Sequence, residues 1–388
     1  MSTRTVRVAD VLQLQRREVR IDALKEYRLI GVYSFGKGIF HRDPKPGSDL
    51  GDYRFFTVEP DDLVLSNIQA WEGAIGHATA RDAGTIGTHR FLTYVPADDG
   101  LIDTNWARYF FLSDPGFALI QQAAPGSVTR NRTLSIARFE ALEIPLPDVD
   151  EQRRIAERLD GIGRAATNLL ERREASERLQ EALLKGLEAN LVAEVSVGST
   201  MRTLGDVAKW GSGGTPNAKS PLYYGGEIPW AVIGDLNDGV VMKTRSNLTT
   251  EGLLNSSAKQ IEAGTVLIAM YGSIGKLGIA GVPMTTNQAI ANAVPHEVSR
   301  DYLFWYLRSQ RRELLGAGKG GAQRNISQTM LKAWPIPVPP PSKQASFATS
   351  MRELYEHDAR TRDLFKRSRA LTSALVPSAL NQAFAGLL

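Results

Sequence analysis

The sequence predicts an α/β protein: two mixed α/β domains in pseudo-repeat, joined by two long antiparallel helices that form a coiled-coil-like spacer. Three observations predict it. Ile144-Pro145-Leu146-Pro147 with Gln152 recurs as Ile336-Pro337-Val338-Pro339 with Gln344, each residue displaced by 192; a repeat at that spacing means two copies of one large unit. Each copy then opens an apolar seam of helical spacing. The stretches before the two Pro-x-Pro segments also carry the same elements in the same order.

Proline locks φ and pushes its predecessor away from helix, so each Pro-x-Pro segment is an extended approach to the helix beyond it. After the first, Ile155, Leu159, Ile162, Ala166 and Leu169 step by 4, 3, 4 and 3, and Leu183 and Leu187 are expected to resume that phase. After the second, Phe347, Met351, Leu354, Phe365, Leu375 and Ala379 are expected to hold it at the same offset. A 4,3 seam is what a helix needs to lie along a partner helix. The stretch from Gln152 to Glu194 would be ~64 Å long at ~1.5 Å per residue, which favours a strut over two ordinary amphipathic helices inside one globule. The resulting division is a first domain at 1–150, a central helix at 151–198, a second domain at 199–342 and a C-terminal helix at 343–388.

The first domain starts at Val8-Ala9-Asp10-Val11 and has a strand candidate from Tyr27 to Tyr33, rich in β-branched and aromatic residues. A loop rich in Gly, Pro and cations follows over 36–47. An acidic turn, Glu59-Pro60-Asp61-Asp62, feeds a buried strand at Leu63-Val64-Leu65-Ser66. Beyond come Thr88-His89-Arg90, a strand ending Val95-Pro96, and an aromatic helix around Trp106, Tyr109, Phe110 and Phe111. The second domain repeats this order with Leu204-Gly205-Asp206-Val207, Glu262-Ala263-Gly264, Val266-Leu267-Ile268, Val294-Pro295, and Tyr302, Trp305 and Tyr306. The offsets drift from 203 to 192, so insertions and deletions fall in the loops. Equal scaffolds with different loops suggest two readers of one kind of ligand, each reading something different.

Composition narrows the function. At 388 residues, 43% hydrophobic and 23% charged, the chain has room for two or more domains with real cores. It has no cysteine, which excludes disulfides and thiol chemistry and fits a reducing compartment; the expected location is the cytoplasm. The histidines His41, His77, His89, His296 and His357 show no metal-binding spacing, and no apolar run approaches a membrane span or a signal core. The net charge of +4 is uneven: −3 over 1–150, −1 over 151–200, +6 over 201–343 and +2 over 344–388. Bulk charge therefore favours an anionic partner only for the second domain, and in the first the case rests on local clusters.

Catalytic motifs fail on inspection. Gly272-Ser273-Ile274-Gly275-Lys276 resembles a phosphate loop, but Met270 and Leu277 stand where that pattern needs Gly and Ser/Thr. The Asn/Asp-Pro-Pro-aromatic signature of an amino-methyltransferase is absent, Pro60-Asp61 lacks a nuclease partner downstream, and no GxSxG occurs. No catalytic, cofactor or metal site is expected.

What remains is a set of loops mixing cations, amides, aromatics and glycine. Lys and Arg bind phosphates, Arg, Asn, Gln and His can read base edges, and glycine lets a backbone approach a strand closely. The first-domain candidates are Lys37, His41, Arg42 and Lys45, then Gln69 and Trp71, then His89 and Arg90, and finally Arg130 and Arg132. In the second domain they are Thr215 and Lys219 after Gly213-Gly214, Tyr223, then Tyr271, Ser273 and Lys276, then Asn287 and Gln288, and last Lys319, Arg324 and Asn325. Against each stands a plainer role: a solvated polar loop for most, an ion pair for Arg130, Arg132 and Arg324, core packing for Trp71 and Tyr271.

With these residues in view, the chain resembles, over nearly its whole length, the specificity subunit of type I restriction–modification systems. The most specific parts are Gly213-Gly214-Thr215-Pro216 running to Ile228-Pro229-Trp230, and Arg324-Asn325-Ile326-Ser327 leading to Ile336-Pro337-Val338-Pro339 and Gln344. The first half departs from the pattern: Gln13 to Lys25 stands where Gly-Gly-Thr-Pro would be. The resemblance implies two target-recognition domains, each reading part of a split double-stranded DNA sequence. It implies that modification subunits, two of them, dock along the spacer helices and supply S-adenosylmethionine chemistry, and that restriction subunits add the nuclease. The chain itself would be non-catalytic. The competing reading is a two-headed structural adaptor that binds only proteins.

Overall fold

The computed structural model of the chain describes residues 4–98, 100–126, 132–318 and 325–385. It divides into two compact units: unit 1 holds 1–174 and 366–388, and unit 2 holds 175–365. Two long helices, Val149–Ser196 and Pro341–Phe384, each give one part to each unit.

Unit 1 is built on an antiparallel sheet in the order Ile75–His77, Leu63–Ser66, Phe91–Pro96, Leu12–Gln15. Its central strand 63–66 is buried on both faces, which is why it reads as a continuous apolar run. Side chains alternate along a strand, so Leu63 and Leu65 face one core with Trp106, Phe110, Phe111 and Phe139 from the helical side. Val64 faces the other way, into a cluster with Ile30, Val32, Ile39 and Val58. Unit 2 repeats the sheet in the order Leu277–Ala280, Val266–Ala269, Ile290–Pro295, Ala208–Ser212, with Val240–Val241 added in parallel at one edge. There Val266 and Ile268 face the helical core with Tyr302, Tyr306 and Phe347, and Leu267 and Ala269 face away.

The second face is where the units diverge. In unit 1 it is covered by the antiparallel hairpin Ile30–Tyr33 and Gly38–His41 and the sheet Thr85–Thr88, Phe55–Val58, Glu18–Val19. In unit 2 the cover includes a sheet ordered Ser246–Leu248, Tyr224–Ala231, Met284–Thr286, Gln260–Ile261. The hairpin corrects the loop expected over 36–47. Gly36 and Gly38 stand at φ +68° and +83°, a turn conformation that glycine adopts without strain, and the chain doubles back on itself. The strand expected from Tyr27 to Tyr33 is split into Glu26–Tyr27, paired with Lys45–Pro46, and Ile30–Tyr33.

The repeated glutamine has the same task in both units. Gln152 Oε1 accepts from the backbone N–H of Asp103 at 2.8 Å, and its Nε2 donates to the carbonyl of Pro147 at 2.9 Å. Gln344 Oε1 accepts from Ser299 N–H at 2.8 Å, and its Nε2 donates to Pro339 at 3.0 Å. Asp103 and Ser299 cap the aromatic helices Thr104–Leu112 and Arg300–Ser309. Each buried amide thus ties the Pro-x-Pro exit and the long helix to the aromatic helix. Replacing either glutamine by alanine leaves a backbone N–H and a carbonyl unpaired in the core. The expected loss is about 2–4 kcal/mol, read as a lower midpoint in denaturant unfolding.

The long helices pair antiparallel. In unit 1 Arg173 bonds Ser368, and Phe384 packs on Trp106 and Phe110. In unit 2 Gln180 Nε2 donates to Asp358 Oδ1 at 2.9 Å, and Tyr355 donates to Glu188 at 2.6 Å. Burial holds Glu188 above the usual carboxylate range, partly offset by the Tyr355 hydroxyl. Of the expected seam, Ile155, Leu159, Ile162, Ala166, Phe347, Met351, Leu354, Phe365 and Ala379 are buried or half-buried. It fails at Leu169, Leu183, Leu187 and Leu375, which are 46%, 61%, 41% and 45% exposed. The inward positions run instead through Leu170, Arg173, Glu177, Gln180, Leu184, Glu188, Leu191 and Val195. From Ile155 to Val195 that is 40 residues in eleven steps, about 3.6 per step, the repeat of a straight helix. A strict heptad gains ~20° per repeat on such a helix and needs a supercoil to stay in register. Here the helix follows its own period and the heptad leucines rotate out to solvent.

Candidate nucleic-acid interface

In both units backbone hydrogen bonds gather the candidate loops at equivalent places. In unit 1, Asn67 N–H donates to Arg90 at 2.8 Å and Leu134 N–H to Asn67 at 2.7 Å, joining 67–73, 88–91 and 132–134. In unit 2, Met270 N–H donates to Ala289 at 2.8 Å and Ile326 N–H to Met270 at 3.0 Å, joining 270–275, 286–289 and 325–327. A short antiparallel bridge between Tyr271 and Asn325 continues that seam. Gly214 N–H donates to Thr286 and Asn287 N–H to Ala231, which adds the 213–216 stretch and the end of Tyr224–Ala231.

Unit 1 has a groove of about 540 Å³ beside its loops, and Lys37, Arg42, Gln69 and Arg90 line it together. Tyr33, Phe35 and Phe40 line it too, with Tyr33 and Phe40 stacked at 4.1 Å. No carboxylate lines it among the described residues. This local cationic surface sits in a segment whose bulk charge is negative. His89 is exposed, and its backbone carbonyl accepts from the Arg16 guanidinium.

Other first-half candidates have structural tasks. His41 Nε2 sits 2.8 Å from Oδ1 of the fully buried Asp82, so its ring is tied to the fold. Trp71 is half-buried against the core, and its indole N–H donates to Ile68 O at 3.0 Å. Arg132 lies over the Trp71 ring at 5.4 Å, and its Nε donates to Gly126 O at 3.1 Å. Lys45 is exposed on its two-stranded ribbon and is not among the residues lining the groove.

In unit 2, Gln288 and Thr215 are both exposed and bonded to each other. Asn287 turns its Oδ1 to Ala289 N–H at 3.2 Å, a local cap within its own loop. Lys276 Nζ donates to Ile233 O at 3.3 Å and is half-buried. Tyr271, Ser273, Lys219 and Asn325 are exposed, and Tyr223 is half-buried on a short turn. Arg130, Lys319 and Arg324 lie outside the described residues.

The Gly213-Gly214 pair has a different cause from the one expected. A Cβ on Gly213 would lie 1.8 Å from Thr286 O, and one on Gly214 would lie 2.5 Å from Ala258 N. The chain crosses itself too closely for any side chain, and both glycines are buried. Packing within the unit, not close approach by a ligand strand, demands them. Two other cations that charge counting would offer to DNA are also engaged. Arg308 and Arg311 both grip Asp238. Burial alone would raise that carboxyl, but Arg311, the Leu277 N–H and Arg308 bring it down to about 2.

Reasoning from sequence missed Tyr33, Phe35 and Phe40 as site residues, because nothing in the sequence showed that Ile30–Tyr33 and Gly38–His41 pair as a hairpin with Phe35 at its turn. It also missed Arg16, which donates to the carbonyl of Phe91 at 3.1 Å and stacks on Phe56 at 4.6 Å. The Arg16-Arg17 pair beside an alternating strand was the available signal for the second. Among the described residues no three His, Asp or Glu side chains gather as a metal site, and no helix is long and apolar enough to cross a membrane.

The family model described as type I restriction modification DNA specificity domain matches twice, over residues 4–177 and 196–362. The chain is 34% identical over 146 residues to the EcoR124I/EcoR124II type I restriction enzyme specificity subunit of Escherichia coli, covering 36% of each chain. It is 30% identical over 155 residues to the MjaIX specificity subunit of Methanocaldococcus jannaschii, covering 38% of this chain and 36% of that one. These matches span about a third of each relative's own length. In fold it is similar to the HsdS subunit of Thermoanaerobacter tengcongensis, with a TM-score of 0.70 at 19% identity over 100% of this chain and 97% of that one. A chain from a structural study of complex assembly in a type I R-M system gives 0.75 at 18% identity, over 100% and 98%. Matched by the same family model in both of its halves, the chain belongs to the family of type I restriction modification DNA specificity domains.

Proposed function

We propose that this chain reads a split, asymmetric sequence in double-stranded DNA, unit 1 taking one half-site and unit 2 the other, and performs no chemistry itself. The observation that carries the reading is the shared loop frame with unlike covers: the same hydrogen bonds gather the loops in both units, while the layer over the second sheet face differs. One scaffold fixes where a reading surface stands, and different covers and side chains give each surface its own sequence. In unit 1 the reading surface is the groove with Lys37, Arg42, Gln69 and Arg90. In unit 2 it is the surface around Thr215, Tyr271, Gln288 and Asn325. Methylation would come from modification subunits, two of them, docked along the long helices, and cleavage from restriction subunits, in the cytoplasm.

The test is a gel shift with the chain and its purified modification subunit on a pool of random-sequence duplexes, alongside labelled S-adenosylmethionine. The chain alone should transfer no methyl group, and the complex should retain and methylate duplexes that share one bipartite sequence. A complex that assembles but retains no DNA would point to the adaptor reading instead.

A further inference from the structure

The hairpin turn of unit 1 holds an aromatic residue in a conformation that aromatic residues avoid. Phe35 stands at φ +62°, in the left-handed region where a bulky side chain is an outlier, and it is 79% exposed. Packing does not compensate the strain, because the ring has almost no core to rest on. The backbone around it is clamped instead. Phe35 N–H donates to Glu72 O at 2.8 Å, Gly36 N–H donates to Gly73 O at 2.9 Å, and Ser34 Oγ donates to Glu72 Oε2 at 3.2 Å. The clamp fixes the direction in which the ring leaves the turn. Glycine would satisfy the same backbone without strain, as it does next door at Gly36 and Gly38. A strained, rigidly presented, solvent-facing ring points to a contact that the free chain does not make.

The surroundings indicate what it contacts. Phe35 lines the same groove as Lys37, Arg42 and Arg90, with Gln69 beside them and no carboxylate among the described lining residues. Such a surface suits a polyanion, and an apolar ring set among cations suits one whose interior is flat and apolar: duplex DNA with its stacked bases. We propose that Phe35 is a wedge that enters the duplex at one base step of the half-site read by unit 1, while the flanking cations hold the phosphates. This rests on the DNA-reading function proposed above. Apolar side chains used in this way partly unstack a base step and widen the contact the protein can make.

The experiment uses the complex of this chain with its modification subunit and duplexes carrying its methylation sequence, with 2-aminopurine placed in turn at each position of the half-site. Wild type should raise the fluorescence at one step, and Phe35→Gly should abolish that rise. The Phe35→Gly complex should bind DNA about tenfold more weakly or worse, and Phe35→Trp should restore both readouts. Its thermal midpoint should equal or exceed wild type, since glycine relieves the positive φ; a merely structural ring would lower it. Equal DNA binding by Phe35→Gly, or a fluorescence rise that persists in it at the same step, overturns the wedge. So does a defect confined to association with the modification subunit. If the wild-type complex binds no specific DNA at all, it is the underlying reading that fails.

Discussion

Inserting Leu-Glu-Ala-Leu between Arg173 and Glu174 is expected to lengthen the unread gap between the half-sites by about one or two base pairs and to leave both half-site sequences unchanged. Four residues add about one helical turn, ~6 Å, to the central helix, and a base pair occupies ~3.4 Å. The insertion point falls one residue before the chain passes from one unit to the other. The Arg173–Ser368 contact belongs to unit 1 and the Gln180–Asp358 contact to unit 2, so each unit keeps its own helix pairing. No reading loop is touched. The measurement is the methylation sequence of the variant, and a folded, active variant with the original gap would show that the helix does not set the spacing.

Gln288→Ala should relax base choice at one position of the second half-site by about 1–3 kcal/mol, the worth of one amide–base contact. Gln288 is exposed and held by Thr215, so its amide is presented without being consumed by the fold. Its neighbour makes the contrast. Asn287→Ala removes the cap on Ala289 N–H, so its expected effect is a modest loss of stability with base choice unchanged. Binding measured on a panel of single-base variants of the target, at several salt concentrations, separates the two. If Gln288→Ala binds the whole panel as wild type does, that residue reads no base.

Much of the scaffold was legible because its causes are local or repeated. Gln152 and Gln344 recur at one offset because each accepts from the backbone N–H of the residue that caps an aromatic helix and donates to a proline carbonyl. Asp61 at φ +64° and Gly264 at φ +89° occupy the same left-handed turn, which Asp tolerates and Gly fills freely. The seam was legible near the helix starts and again at Phe365 and Ala379, but not between. Over two turns, periods of 3.5 and 3.6 cannot be told apart; by Leu183 the difference has turned a leucine to solvent. The site was less legible than the fold. Residue type could suggest that Lys37, Arg42, Gln69 and Arg90 share a surface. It could not reveal that His41 is spent on buried Asp82, or that Gly213 is required by the crossing of Thr286. Both facts depend on neighbours distant in sequence. The Phe35 turn was hidden for a related reason: its conformation is imposed by the 72–73 backbone, not by its own residues.

Two units on one scaffold are expected to read two different sequences. The most direct measurement is methylation mapping of genomic DNA from cells carrying this chain with its modification subunit. One bipartite motif is expected, two unlike specified segments separated by an unspecified gap, in which Gln288→Ala alters a single segment. A continuous or palindromic motif would contradict it.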